Sequence, residues 1–394
     1  MTRPPFEVAD IIRQYGTRFI ETHRAWLTAQ HLRVLRAIAH CRTAALGGHV
    51  DKCDRCQYTR ISYNSCRNRH CPKCQGKQRS EWLDQRKNEL LPVEYFHVVF
   101  TIPAQLAAIA YQNKAVVYDI LFRAAAETLL AIARDPKHLG AEIGFFAILH
   151  TWGQNLHHHP HVHCVVSGGG LSPDYARFIH CRTRFFLPVR VLSRLFRRLF
   201  LEALQKSFDQ QKLQFFNELA PLGDAPSFAA YLQPLRDCEW VVYAKPPFGG
   251  PEAVLAYLAR YTHRVAIGNQ RLQAIQDGQV TFQWKDYQHR NRVQNMTLAA
   301  GEFIRRFLLH ALPPGFQRIR HYGFLANAHR RDKLALCRKL LTADPTGLLP
   351  SILVAANLPA PEPTIDSPPG CPVCRLGVLR RVEILPPRTG FDSS

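Results

Sequence analysis

Apolar side chains recur at three- and four-residue steps through residues 6–47, in VADIIRQYGTRFIETHRAWLTAQHLRVLRAIAHCRTAAL, and the pattern stops at Gly47-Gly48. That spacing lines one face of a helix, so a helical segment is expected there. A cysteine-rich stretch runs on to Gln75, and KQRSEWLDQRKNELLP (77–92) has the pattern of an amphipathic helix stopped by Pro92. The period then changes. EYFHVVFTIP (94–103), IGFFAILHTW (143–152), HVHCVVSGG (161–169) and CEWVVYAKPPF (238–248) carry the β-branched and aromatic content of strands. Helix-like sequence lies between them, up to about Arg134 and again in the basic amphipathic stretch 189–217. PEAVLAYLARYTHRVAI (251–267) reads as a helix with proline at its start, and RLQAIQDGQVTFQWKDY (271–287) as a hairpin turned at Asp277-Gly278. Strands separated by helices within one domain predict an α+β fold, and no repeat of 20–50 residues is seen.

Composition narrows what such a fold could be for. A chain of 394 residues that is 46% hydrophobic can bury substantial cores in two or three domains. Lys and Arg number 51 against 30 Asp and Glu, a formal charge of +21 that favours a polyanion, nucleic acid first. Against a membrane partner, no apolar run approaches the ~18 residues needed to span a bilayer. The start, MTRPPFEVADIIRQYG, has no signal-peptide core, so a cytoplasmic protein is expected. Twelve cysteines in that compartment should be thiols or metal ligands rather than disulfides.

Paired cysteines give the strongest metal signal. Cys53-x2-Cys56 and Cys71-x2-Cys74 stand fourteen residues apart, the paired spacing of a four-thiolate zinc site. Nearby Cys41, His49, Cys66 and His70 could form a second site, although their gaps follow no fixed pattern. Arg67, Arg69 and their basic neighbours would suit contact with DNA. Cys371 and Cys374 follow a Pro-rich linker (355–370) and supply half a knuckle without evident partners.

Six of nineteen histidines fall in LHTWGQNLHHHPHVHCVV (149–166). Strand alternation puts His161 and His163 on one face and Val162 in the core, which aims two imidazoles at one ion. His150 ends the preceding strand, and a turn through GQNLHHHP would set it beside the pair as third ligand, in preference to His159, Gln154 or His97. Solvated or hydrogen-bonded strand histidines are the plain alternative. In YLARYTHRVAI, Tyr257 and Tyr261 are four apart and share a helix face, with Arg260, His263 and Arg264 supplying charge suited to a phosphodiester. An aromatic stripe of Tyr257, Tyr261 and Val265 packed on a sheet would look the same. No GxxxxGK[ST] pattern occurs to suggest an ATPase.

Taken in order, SCRNRHCPKCQ, FHVVFTIP, LHTWGQNLHHHPHVHCVV, YLARYTHRVAI and RIRHYGFLANAHRR resemble the rolling-circle transposases of the insertion-sequence-91 family, over about residues 10–340. That family belongs to the HUH endonucleases, whose two histidines are matched by His161 and His163 and whose two helical tyrosines are matched by Tyr257 and Tyr261. The resemblance implies a central antiparallel sheet with packed helices, preceded by a helical zinc-binding module. It implies magnesium or manganese polarising a phosphate of single-stranded DNA at element ends and target; host replication or helicase action is expected to supply the single strand. One tyrosine attacks, forms a 5′-phosphotyrosine link and frees a 3′-hydroxyl; the second can serve strand transfer. The organisation expected is a DNA-binding domain over 1–92, a catalytic domain over 93–340 with a helical insertion near 185–235, and a linker and tail over 341–394. Two rival classes account for part of the pattern: a zinc-dependent DNA-binding regulator, and a metal-dependent hydrolytic nuclease using His150, His161 and His163.

Overall fold

A computed structural model describes residues 4–74, 89–182, 186–245, 253–254, 266–286, 292–343 and 369–388. Helices α1 (Val8–Thr22) and α2 (Ala29–His40) precede the hairpin strands β1 (Gly48–Cys53) and β2 (Thr59–Tyr63). Strand β3 (Tyr95–Thr101), helices α3 (Ala107–Gln112) and α4 (Lys114–Arg134), and strands β4 (Glu142–Trp152), β5 (His158–Leu171) and β6 (Phe178–His180) follow. Next come α5 (Val189–Asp209), α6 (Ala225–Asp237), β7 (Val242–Lys245), β8 (Leu272–Gln276), β9 (Gln279–Asp286) and β10 (Arg292–Ala299). Helix α7 (Ala300–Leu309), strand β11 (Ile319–Gly323), helix α8 (Arg330–Ala343) and strand β12 (Leu379–Leu385) complete the described elements. The expected α+β class holds, and every strand pairing among the described residues is antiparallel. The helix expected over 77–92 falls mostly on residues outside those described.

These elements pack as two units that do not follow chain order: 1–78, 263–311 and 358–394 in one, 79–262 and 312–357 in the other. The divisions expected at 92/93 and 340/341 therefore differ from the packing, and the reason lies in apolar faces. α1 buries Val8, Ile11, Ile12 and Phe19 at helical spacing, and it meets α7, which buries Phe303, Ile304, Phe307 and Leu308. The amide of Val8 donates to Asn269 Oδ1 at 3.1 Å, tying the N-terminal helix to the segment before β8. In this unit β12 pairs with β1 in a sheet ordered β12-β1-β2, and β8, β9 and β10 form a second three-stranded sheet. The predicted hairpin turn is present: Asp277 and Gly278 have φ of 50° and 74°, the left-handed pair that a two-residue turn requires.

The second unit is built on a sheet ordered β11-β4-β5-β3-β7, with β6 also on β5. Alternation sorts its residues cleanly. Phe96, Val98 and Phe100 of β3, Phe145, Ala147 and Leu149 of β4, and Val162, Cys164 and Val166 of β5 share one core with Val117, Leu121, Leu129, Phe196 and Phe228 of the helices. The opposite face puts Tyr95, Phe146, Ile148 and Val165 against Leu334, Cys337 and Leu341 of α8. α5 and α6 both pack into the first of these cores.

The end of β11 gives a test of the fold. Gly323 sits at φ +61°, and a Cβ there would lie 1.7 Å from the carbonyl oxygen of Ile143. Gly323→Ala must therefore strain the left-handed backbone and force β11 from β4, at about 3 kcal/mol. We expect the melting temperature to fall by roughly 6–12 °C. Gly315→Ala, at φ +71° with nothing within 4 Å, should cost only the backbone strain and fall much less. Equal melting temperatures for the two variants would contradict this packing.

Candidate active site and metal centres

The antiparallel register of β4 and β5 sets His150 directly opposite His161. His161 and His163 alternate with Val162, which is fully buried on the other face, so three imidazoles meet on one side of the sheet. Ring centroids are 5.6 Å apart for His150 and His161, 4.3 Å for His150 and His163, and 4.8 Å for His161 and His163. One ligand nitrogen from each lies within 4.8 Å of the others. His97, from β3, lies parallel to the His163 ring at 5.0 Å, with its Nε2 2.8 Å from His163 Nδ1. It stands behind His163 as a hydrogen-bond partner, leaving His150 as the third member of the group. His159, expected in the turn, is instead the second residue of β5; it is exposed, and its carbonyl is 2.6 Å from His161 Nδ1. A ring nitrogen facing a carbonyl must donate, so the tautomer places the His161 lone pair on Nε2. Outer-sphere contacts of this kind fix imidazole orientation in metal sites.

Electrostatics also suit a cation. Burial, reinforced by neighbouring His159, pulls the His161 pKa down to about 4, and burial with His150, His161 and His97 nearby pulls His163 well below the usual imidazole range. Burial and Lys245 lower His97 to about 3. These rings are therefore neutral at pH 7, with the lone pairs a metal requires. Among the described residues no carboxylate joins the group. Three imidazoles can hold a divalent cation while leaving coordination positions for phosphate oxygens.

Tyr257, Tyr261, Arg260, His263 and Arg264 lie outside the described residues. Val254, three positions before Tyr257, is fully buried with Phe146, Ile148 and Val165, in the core on the face of the sheet that carries the histidines.

The cysteines regroup relative to expectation. Cys53 and Cys56 do not join Cys71 and Cys74; instead Cys41, Cys66, Cys71 and Cys74 converge, and Cys53 and Cys56 meet Cys371 and Cys374. The cause is the β12–β1 pairing, which sets Leu379 opposite Cys53 and carries the tail knuckle there. His49 and His70 stand outside both groups. His49 Nε2 is 3.4 Å from Asp51 Oδ2, and His70 Nδ1 is 3.1 Å from Asn68 Oδ1. In the first tetrad, Cys74 Sγ is 3.4 Å from Cys41 Sγ and 3.5 Å from Cys66 Sγ. A tetrahedron with Zn–S bonds of about 2.3 Å has edges of about 3.8 Å, whereas a disulfide is about 2.05 Å. Hydrogen bonds among the four sulfurs pull Cys41 down to about 7 and lower Cys74, while they push Cys66 and Cys71 up. Four anionic sulfurs so close require a cation to be stable together. Arg67 is exposed at φ 51° in the loop between two of these cysteines, and burial lowers the pKa of half-buried Arg69.

Comparison with known proteins decides the family. A sequence family described as "Transposase zinc-binding domain" matches residues 11–102, and one described as "Putative transposase" matches residues 144–333. The chain is 58% identical over 398 residues to "Putative transposase y4qJ" of Sinorhizobium fredii, covering 99% of this chain and 98% of that protein. It belongs to the insertion-sequence-91 family of transposases. "Transposase for insertion sequence element IS801" of Pseudomonas savastanoi pv. phaseolicola is 27% identical over 315 residues, 78% of this chain and 73% of that protein. No solved structure matches.

The transposase is thus a DNA-processing enzyme that binds DNA, with structural zinc as a property of its N-terminal region. The match described as "Putative transposase" begins within β4 and spans His150, His161, His163, Tyr257 and Tyr261. The zinc-binding match contains the whole first tetrad but only half of the second. Among the described residues no helix is long and apolar enough to cross a membrane.

Proposed function

We propose that the transposase cuts and rejoins single-stranded DNA at element ends through a 5′-phosphotyrosine intermediate. The observation that carries this reading is the convergence of His150, His161 and His163 on one sheet face, where burial keeps His161 and His163 neutral. Burial of Val254 on the same face supports bringing the following segment, with Tyr257 and Tyr261, toward that site. A magnesium or manganese ion held by the three imidazoles would supply a positive charge for the phosphate oxygens.

The chain's own groups account for the remaining chemistry. A tyrosine phenol loses its proton and its oxygen forms a bond to phosphorus; the bond from phosphorus to the 3′-oxygen breaks, and that oxygen leaves to become a 3′-hydroxyl. The phosphodiester energy is retained in the tyrosine ester, so a 3′-hydroxyl can later reverse the reaction and join a new strand. Two tyrosines allow one to hold the cut strand while the other acts. His97 holds His163 in place, and the carbonyl of His159 fixes the His161 tautomer. Arg260, His263 and Arg264 would hold the phosphodiester, and Arg67 and Arg69 the DNA backbone. Host replication exposes the single strand in the cytoplasm, and Cys41, Cys66, Cys71 and Cys74 hold the structural zinc of the DNA-binding module.

The test incubates the full-length protein with magnesium or manganese and labelled single-stranded oligonucleotides from element ends, followed by denaturing electrophoresis. A slow-migrating protein–DNA adduct is expected, and Tyr257→Phe with Tyr261→Phe should remove it. Clean nicking without adduct would instead mean hydrolysis, and sequence-specific binding without cutting would mean a regulator.

A further inference from the structure

Cys371 and Cys374 stand about 300 residues beyond the zinc-binding segment, outside both family matches, yet they end up against Cys53 and Cys56. Cys53 Sγ is 3.7 Å from Cys374 Sγ, and Cys56 Sγ is 3.6 Å from Cys371 Sγ in the opposite knuckle. These separations match the ~3.8 Å edge of a zinc tetrathiolate and are far from the ~2.05 Å of a disulfide.

The backbone around the four sulfurs is arranged to stabilise thiolates. Amides of Arg55 and Cys56 donate to Cys53 Sγ at 3.4 and 3.5 Å, and the amide of Gly377 donates to Cys374 Sγ at 3.4 Å. Each knuckle is a turn at the end of a strand. Cys53 closes β1, its amide donating to Tyr58 O at 2.8 Å, while the Cys371 amide donates to Gly377 O at 2.8 Å just before β12. A Cβ at Gly377 would lie 2.6 Å from Cys53 Sγ, so the second knuckle approaches the first more closely than a side chain there would allow. Asp54 joins them from the side, accepting the Val378 amide at 3.0 Å on Oδ1.

Apolar burial alone is a poor explanation for this junction. Its buried cluster comprises Cys53, Cys371 and Leu379, with Tyr58 and Cys374 partly buried beside it. Strand β12 exposes Val382 and Ile384 at 57% and 75%. Small cores of this size usually need a metal or a covalent link to hold them.

We infer that Cys53, Cys56, Cys371 and Cys374 bind a second zinc ion, which clasps strand β12 onto β1. The clasp makes the tail part of the N-terminal module: without it, Cys53 and Cys56 lose their complementary ligands and β1 loses the neighbour with which it pairs from Gly48 to Cys53. This inference does not rest on the tyrosine mechanism.

The test counts zinc in the purified full-length protein by atomic emission, together with zinc released when a mercurial titrates the thiols. Thiol-releasable zinc separates the tetrads from any ion on the histidines. Two thiol-releasable zinc ions per chain are expected, falling to one in Cys371→Ser/Cys374→Ser, with thiolate-to-cobalt absorption of the cobalt-substituted protein halved. Cys374→His, which keeps a ligand at that corner, should retain two. A single thiol-releasable zinc in the wild-type chain would overturn the inference, and that measurement needs no variant to fold. So would two in the double serine variant.

Discussion

Replacing His163 with alanine is expected to lower magnesium- or manganese-dependent nicking of element-end oligonucleotides by about 10²–10³-fold, the loss that follows removal of one well-placed group acting on a developing oxyanion. His163 occupies the centre of the cluster: its ring is 4.3 Å from that of His150 and 4.8 Å from that of His161, and His97 hydrogen-bonds to it at 2.8 Å. His150→Ala should have a similar effect, because the register pairs His150 with His161 across the strands. His159→Ala, at an exposed position near the start of β5 whose backbone carbonyl survives the substitution, should remain within a few-fold of the parent. DNA binding without added magnesium or manganese should be unchanged in all three. Nicking rates are the measurement, and a His163 variant as active as the His159 variant would remove the histidine cluster from the mechanism.

Cys71→Ser is expected to abolish one zinc site and unfold the module around it. Cys71 and Cys41 are fully buried, and the tetrad joins the end of α2 to the loop that follows β2. Zinc bound by four thiolates contributes about 10–16 kcal/mol in zinc-finger peptides, comparable to the entire stability of a small domain. A serine hydroxyl cannot replace that thiolate. Zinc content should fall by one ion, the circular-dichroism melt should lose a cooperative transition, and affinity for element-end DNA should drop at least tenfold. Cys238→Ser, at an exposed thiol of the other unit, should change none of these. An unaltered zinc count for Cys71→Ser would contradict the assignment of that tetrad.

Local chemistry made part of this molecule legible. His-Val-His in a β-branched run could only put both rings on one face, and the short return from His150 made it their neighbour. Asp277-Gly278 announced its hairpin because few residue pairs tolerate two left-handed conformations in succession. The cysteines were harder to read because spacing reports chain distance rather than spatial partners. Fourteen residues between the knuckles fit a single site, yet both knuckles found other partners. Closing a loop of about 300 residues costs only about 3 kcal/mol more than closing one of 15, so a strand as remote as β12 can complete the sheet. The matching C-x2-C at 371–374 was the available signal, without a pattern nearby to indicate its partner. Helix α7 escaped similarly: its pairing with α1 depends on two apolar faces almost 300 residues apart.

The most direct test of the central claim is to digest the isolated protein–oligonucleotide adduct with trypsin and nuclease and map the modified peptide by mass spectrometry. A nucleotide attached through its 5′-phosphate to Tyr257 or Tyr261 is the predicted result. Attachment to another residue, or cleavage at element ends with no covalent nucleotide on the protein, would contradict the account.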